Sequence, residues 1–523
     1  MNAPESLRPG LPALTPLTPH PEPGVAPRID LGLSADWSPG FAGLGTDPEE
    51  PFIRPCDPSP LQECRFLAIS EDAAALLGLD AQKLHQSPQW LALLSGNAVG
   101  GHLQPYASVY AGHQFGVFVP RLGDGRALNL GALRGWELQL KGAGQTPYAR
   151  FADGRAVLRS SIREYLCSEA MHALGIPTTR ALSLVAAASP VLRETVETAA
   201  VVCRLAPSFV RFGHFEYFSS RQRIDQLERL VRHSAALLGC GDPAAGTPMP
   251  AAELALSVLE AAAHRSAKMT AQWMGVGFMH GVMNTDNCSI LGLTLDYGPF
   301  GFMDGFNAGH ICNHSDHHGR YSFQSQPQVS LWNLSRLANA LYPLVNATDP
   351  LNAVLEHFKS SYAKEMEGLL KKKLGLQRLP EDQWGPLLDG FYSLLQSQKM
   401  DHTLAFRALS NQDEQAFIDL APDRAACRPW LDRYQQAVGV SLSLQGISAT
   451  ARQQQMQAIN PKYVLRNWIA EEVISAVRDH GDTGPLHAVA RLLRRPFEEH
   501  PESKRYAAPP PDWATHLAVS CSS

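Results

Sequence analysis

The sequence lacks most of the short signatures that assign an enzyme class at sight. No two of its nine cysteines, at positions 56, 64, 167, 203, 240, 288, 312, 427 and 521, form a CxxC pair. Zinc ribbons and thioredoxin-type motifs are thereby excluded. Cysteines scattered through a long chain point instead to a reducing compartment. There is no GxxxxGK(S/T) phosphate loop, no GxSxG elbow and no HExxH helix, which removes P-loop nucleotidases, α/β-hydrolases and zincins. No apolar run reaches the roughly 18–20 residues needed to span a bilayer. The opening segment MNAPESLRPGLPALTPLTPHPEPG has prolines where a signal peptide needs an unbroken apolar stretch. An excess of one charge is also missing: 45 Lys and Arg face 50 Asp and Glu, a net charge of −5. Any phosphate site must then be a local cluster of cations. The expectation is a cytoplasmic protein with neither nucleic acid nor membrane as partner.

What is present is ample material for a core. The 523 residues are 45% apolar and 18% charged, the balance of a folded globular chain. Residues 1–27 are Pro-rich and read as an extended arm. Residues 28–215 read as a β-rich lobe with one helix. EDAAALLGLDAQKLHQ is its early helical stretch, and VYAGHQFGVFVPRLGDGRALNLGAL reads as a hairpin turning at Gly123-Asp124-Gly125. Trp136–Lys141 alternates apolar and polar, which is strand period two. Leu158, Ile162, Leu166, Ala170 and Ala173 then recur at helical spacing, stopped by Gly175-Ile176-Pro177. Residues 181–206 return to strand composition. From 216 to 500 helical periodicity dominates, interrupted by a polar stretch over 280–328, and 501–523 form a tail that contains Cys521. The predicted class is α+β: a β-rich N-terminal lobe followed by a large helical lobe.

The chemistry is carried by a spaced set. Gly123-Asp124-Gly125-Arg126 precedes Lys141 on a strand, and Glu164 follows on the next helix. His280 and Asn287 stand in HGVMNTDN, and Asp296-Tyr297-Gly298 comes soon after. Singly these are weak signals. A Gly-x-Gly turn is common, a strand lysine usually lies on a solvated face, and Asp-Tyr-Gly alone is a turn. In this order they match the protein-kinase arrangement: a glycine loop over phosphates, a Lys–Glu pair, a metal-binding Asn and a metal-binding Asp. One position departs. Two residues after the histidine, where a kinase has its catalytic Asp, this chain has Val282. Val282 cannot orient a hydroxyl nucleophile, yet Asn287 and Asp296 keep hard oxygen donors suited to Mg²⁺. That combination suggests altered nucleotide chemistry on a pseudokinase-type bilobal fold.

The sequence closely resembles the selenoprotein O (YdiU) family over residues 60–523. The most specific stretches are YAGHQFGVFVPRLGDGR, LQLKGAGQTPYARFADGRAVLRSSIREYLCSEAMHALGIPT, HGVMNTDNCSILGLTLDYGPFGFMD, ICNHSDHHGRYSFQSQP and NPKYVLRNWIAEE. The resemblance implies a kinase-like fold that binds ATP flipped and transfers AMP, with UMP transfer attributed to bacterial members, to hydroxyl side chains of proteins. It implies that Gly123, Gly125 and Arg126 form the nucleotide loop and that Lys141 contacts phosphate and pairs with Glu164. Asp153 and Gly154 would line the nucleotide site, with Asp296 also contacting nucleotide. Arg204 and Arg211 would clamp the terminal phosphates. Asp286 would be the proton acceptor, and Asn287 and Asp296 would hold Mg²⁺ or Mn²⁺. The segment between Arg126 and Lys141 is a few residues shorter than the family's usual length, which bears only on the hairpin's reach. The family also implies a disulfide between the tail Cys521, at the position where some members carry selenocysteine, and Cys312.

These roles agree with elementary chemistry. Attack at the α-phosphorus expels pyrophosphate, and planar Arg forks suit the charge that builds there. ATP is the expected co-substrate. The expected partners are proteins with accessible Ser, Thr or Tyr, redox-related ones among them. Two rivals stand beside this expectation: a kinase acting on a protein or small molecule, and an inactive nucleotide-binding scaffold. Val282 opposes the first; Asp286, Asn287 and Asp296 oppose the second. His310, His314, His317 and His318 have a spacing that permits zinc, but no Cys pair accompanies them.

Overall fold

Side-chain alternation along four long strands decides where the polar groups of this protein go. The computed structural model describes residues 26–46, 51–241, 249–514 and 517. Most of the Pro-rich arm expected over 1–27, and Cys521 with it, lie outside the described residues. Among the described residues the main sheet has nine strands. Seven follow one path: β1 (Ile53–Pro55), β3 (Tyr106–Ser108), β4 (Ala127–Leu133), β5 (Trp136–Lys141), β7 (Val196–Ala206), β6 (Arg180–Leu192) and β2 (Arg65–Ile69). Each neighbouring pair is antiparallel.

Because side chains on a strand alternate between faces, Val201, Cys203 and Leu205 of β7 point one way with Leu138 and Leu140 of β5. They pack under the short helices of residues 71–94, against Ala73, Leu77, Leu93 and Leu94. Ala200 and Val202 point the other way and meet helix α1 (Leu158–Ala173) through Leu158, Ile162 and Leu166. Arg204 shares this second face by period two. So do Glu137, Gln139 and Lys141 on β5, where Gln139 sits opposite Arg204 and Lys141 opposite Val202. The polar half of the alternation thus faces α1 and its Glu164.

Helices take over from Phe212: α2 (Phe212–Ser220), α3 (Ile224–Leu238), α4 (Ala251–Val276), α5 (Gln326–Val345) and α6 (Thr348–Lys373). They are followed by α7 (Glu381–Gln398), α8 (His402–Ser410), α9 (Arg428–Gln445) and α10 (Asn467–His480). Helices α2 to α6 share one apolar core, and α7 to α9 share another with the end of α6. Helix α10 returns to pack on α1 through Ile469, Val473 and Val477. Residues 501–507 form a 3-10 helix whose Tyr506 stacks on Trp468 with ring centroids 5.9 Å apart. Among the described residues, no helix is long and apolar enough to cross a membrane.

Two local expectations are corrected. EDAAALLGLDAQKLHQ is two helices, Glu71–Leu76 and Ala81–Gln86. Gly78 takes φ +61° between them, and the Asp80 side chain caps the second by accepting from Lys83 N–H at 2.8 Å. An internal N-cap and a left-handed glycine outweigh the continuous apolar spacing. The hairpin in residues 109–133 also turns elsewhere. Gly112–Gln114 pairs with Val117–Val119, so the turn is Phe115-Gly116. Gly123–Gly125 lies on the returning segment, where Leu122 N–H donates to Tyr110 O (2.8 Å) and Asp124 N–H to Ser108 O (3.0 Å).

Candidate active site

A cavity of about 700 Å³ opens where the sheet meets the loops of residues 280–296. Gly123, Gly125, Arg126, Lys141, Asp153, Gly154, Arg204, Arg211, Asp286, Asn287 and Asp296 all line it. Glu164 stands directly behind, its carboxylate 2.6 Å from Lys141 Nζ and 3.1 Å from Arg204 Nη1.

Two glycines of the cavity wall are demanded by space. At Gly123 (φ +130°) a Cβ would lie 2.4 Å from the Tyr148 ring. At Gly154 (φ +68°) it would lie 2.1 Å from Gly144 O. Any side chain at either position would push the wall apart.

The sheet side of the cavity is a chain of buried polar contacts. Lys141 and Arg204 share Asp296 Oδ1 as acceptor, and Arg204 also donates to Gln139 Oε1. Gln139 donates to Asn129 Oδ1 at 2.9 Å, and Asn129 to Asp124 Oδ2 at 3.0 Å. Burial alone would raise the Asp296 carboxyl. The charges of Lys141, Arg204, Arg126 and Arg211 outweigh it and hold the group well below the ordinary carboxylate range. Asp296 adopts φ +63°, a left-handed conformation that Asp tolerates better than most residues.

Arg211 is fixed from four sides. Its backbone N–H donates to His214 Nδ1 at 2.9 Å, which starts α2. Its Nη1 donates to Asp286 O at 2.7 Å. Asp124 Oδ1 lies 3.9 Å from Nη2, and the guanidinium carbon stands 5.1 Å from the Tyr110 ring centroid. Burial and the Arg211 charge push His214 down to about 3, so it accepts as a neutral imidazole. Phe212 N–H to Cys288 O (2.9 Å) and Ile290 N–H to Val210 O (3.0 Å) tie this segment to the loop below.

That loop is a 3-10 turn, Thr285–Asn287. Asp286 is 8% exposed. Its Oδ2 accepts from Gln114 Nε2 at 3.1 Å, and its buried Oδ1 has no hydrogen-bond partner among the described residues. Burial raises this carboxyl to about 6, against the pull of the Gln114 bond and the Arg211 charge. Asn287 donates to Val282 O at 3.1 Å, which leaves its amide oxygen to serve as a ligand. Val282 thus contributes only backbone. His280 links the turn to Asp296 through Leu295 O, 2.8 Å from Nε2.

The remaining expected residues sit at the cavity's edge or outside it. Asp153 lies at the mouth, paired with Arg193 at 2.8 Å. Cys312 is buried outside the cavity, its thiol 3.7 Å from Met279 O. His314, His317 and His318 are exposed. Among the described residues, no cluster of three or more His, Cys, Asp or Glu could hold a metal. A cation at Asn287 and Asp296 would therefore need further oxygens, which phosphates supply. The Asn287 amide oxygen and the Asp296 carboxylate, 27% of whose side chain is open, are donors that suit a hard divalent ion.

The profile of the family described as "Protein adenylyltransferase SelO" matches residues 37–494. The chain belongs to this family. A protein of Bordetella parapertussis named "Protein nucleotidyltransferase YdiU" is 49% identical over 493 residues, covering 92% of this chain and 97% of its own. Proteins of the same name from Dechloromonas aromatica (48% over 495 residues; 91% and 96% covered) and Cupriavidus metallidurans (45% over 534; 97% and 95%) are similar at full length. The chain is an enzyme of the nucleotidyltransferase type. For a SelO-family site, sequence reasoning missed several contributors. Asp124, Tyr148, Arg150 and Arg155 line the cavity beside the expected residues, and Gln114 reaches Asp286. All five lie inside GHQFGVFVPRLGDGR or GQTPYARFADGR, parts of two of the family-like stretches, which was the available signal.

Proposed function

We propose that this enzyme transfers AMP from ATP to Ser, Thr or Tyr hydroxyls of proteins, with UMP transfer from UTP as a second use of the same site. The observation that carries this is the composition of the cavity. Arg126, Lys141, Arg150, Arg155, Arg193, Arg204 and Arg211 line it against Asp124, Asp153, Asp286 and Asp296, a cationic excess suited to a triphosphate. The kinase-type base position is filled by Val282, and Asp286, on the same loop, brings a carboxylate into the cavity lining instead. A Lys–Glu pair, a loop Asn and an Asp-x-Gly turn in this spatial relation support a kinase-like bilobal ancestry with altered chemistry.

In the proposed step the acceptor hydroxyl oxygen bonds to the α-phosphorus. The bond to the α,β-bridging oxygen breaks, and pyrophosphate leaves with its electron pair. The hydroxyl proton passes to the Asp286 carboxylate. Arg204 and Arg211 hold the β,γ end and stabilise the charge that grows there. Lys141 contacts phosphate while Glu164 fixes its position. Gly123, Gly125 and Gly154 let backbone approach the nucleotide. Asn287 and Asp296 would hold Mg²⁺ or Mn²⁺, which supplies charge neutralisation at the phosphates. Mass spectrometry of acceptor proteins incubated with ATP and Mg²⁺ tests the proposal. AMP adducts on hydroxyl side chains are expected; phosphate adducts would make the enzyme a kinase. A redox pairing of Cys312 with Cys521 belongs to the same proposal and is tested by non-reducing peptide mapping.

A further inference from the structure

The Gly112–Val119 hairpin carries a backbone anomaly. Phe115 has φ +50° and Gly116 φ +87°, the two left-handed residues that a tight two-residue hairpin turn requires. Asn, Asp or Gly normally takes the first of these places. A phenylalanine there is strained, because its Cβ crowds the following carbonyl oxygen. Two bonds hold it: Phe115 N–H donates to Asn284 Oδ1 (3.1 Å) and to Tyr321 OH (3.0 Å). The strain keeps an aromatic ring where turn chemistry alone would not place one. Around it Phe115 is 41% exposed, Val117 69% and Phe118 37%.

Phe115 forms one side of a groove of about 570 Å³ with Val329, Trp332, Arg320, His317 and His318. The groove lining holds one fixed cation, Arg320, and one carboxylate, Asp316, and the two are not paired with each other through their side chains among the described residues. The Arg320 guanidinium lies 4.5 Å from the Trp332 ring centroid, and its Nε–H meets no acceptor among the described residues. The carboxylate of the lining, Asp316, is occupied by the backbone N–H groups of Arg320 (3.0 Å) and Tyr321 (2.7 Å). The groove also adjoins the chemistry. Gln114 reaches Asp286 in the nucleotide cavity, and the next residue, Phe115, faces the groove; one backbone step is about 3.4 Å.

We propose that this groove docks the acceptor polypeptide. The occupant is an extended segment that lays apolar side chains on Phe115 and Trp332 of the groove and on the exposed Val117 of the adjoining hairpin strand, sets an acidic residue against Arg320, and delivers its hydroxyl to Asp286. Extension follows from the hairpin. Among the described residues Val117–Val119 pairs only with Gly112–Gln114, and an unpaired strand edge accepts an added strand. This inference rests on the transfer chemistry proposed above.

The test uses a degenerate fluorescent peptide library with a fixed central Ser, Thr or Tyr, read by label from α-labelled ATP and by fluorescence polarisation. Labelled peptides should be enriched in acidic and apolar flanking residues. Val117→Asp, at an exposed position that does not endanger folding, and Arg320→Glu should each lower kcat/KM for peptide by about tenfold or more. Affinity for ATP should stay at the wild-type value, and Arg320→Glu should shift the preference towards basic flanks. Label transfer with wild-type rate and preference in both variants would sink the groove and leave the transfer intact. Peptide binding that Arg320→Glu abolishes, with no α label on any peptide, would sink the transfer and leave the groove intact.

Discussion

Lys141 and Lys373 are both nearly sealed from water, at 6% and 2% exposure, yet their surroundings are opposite. Lys141, in the cavity wall, meets Glu164 and Asp296. Lys373, at the end of α6 in the helical half, has no carboxylate partner among the described residues. Its Nζ lies 4.3 Å from the Phe406 ring centroid, and burial pushes its ammonium down to about 7. The comparison separates two uses of a buried charge. In the cavity the surrounding cations, Lys141 first among them, hold the buried Asp296 carboxylate ionised in a place poor in water. In the helical core the long side chain fills space, and burial moves its ammonium towards the neutral form.

Breaking the cavity network should have the largest consequences. Asp296→Ala removes the acceptor shared by Lys141 and Arg204 along with a proposed metal ligand, and turnover should fall about 10³-fold or more. Circular dichroism should show the fold retained; full activity at millimolar Mg²⁺ would refute the assignment. Asp286→Asn keeps the shape and the contact with Gln114 but cannot take a proton. It should lower kcat about 10²–10⁴-fold while the ATP dissociation constant changes less than about twofold, as calorimetry would show. Arg204→Ala and Arg211→Ala should weaken ATP binding about tenfold and leave AMP binding nearly unchanged. Equal losses for both nucleotides would contradict a β,γ clamp.

The smallest effect on activity should come from the other lysine. The ordinary lysine value is 10.5 and that of folded Lys373 about 7. Between those values the unfolded chain binds a proton that the folded chain does not, so folding stability rises with pH across the window and is lowest below 7. Lys373→Met removes the penalty. Its melting temperature should exceed that of the wild type by roughly a few degrees near pH 6, with the gain fading by about pH 10. Catalysis should be unaffected. A constant gain at both pH values would show that Lys373 is charged in the fold.

The sequence made part of this legible. Period two in Trp136–Lys141 gave the strand and the face of Lys141, and helical spacing from Leu158 gave α1. The order of Gly123, Lys141, Glu164, Asn287 and Asp296 anticipated which residues would meet, because each is anchored by a local element. What aims a residue from distant backbone stayed hidden, even where the family resemblance named the residue. Arg211 is aimed by His214, Asp124 and the carbonyl of Asp286, contacts that no spacing rule encodes. The true hairpin turn was missed because Phe115 breaks the turn preference that reading relies on, while Gly123-Asp124-Gly125 imitates it. Gly123 owes its identity to the nearby Tyr148 ring, a close approach rather than a turn.

The central claim is that nucleotidyl transfer, not phosphoryl transfer, occurs in the cavity. It is tested most directly by incubating the enzyme and acceptor proteins with ATP labelled at the α-phosphorus and, in parallel, at the γ-phosphorus. The account requires protein-bound label from the α position alone, lost in Asp296→Ala, with the γ label recovered in pyrophosphate. Protein-bound label from the γ position would contradict it.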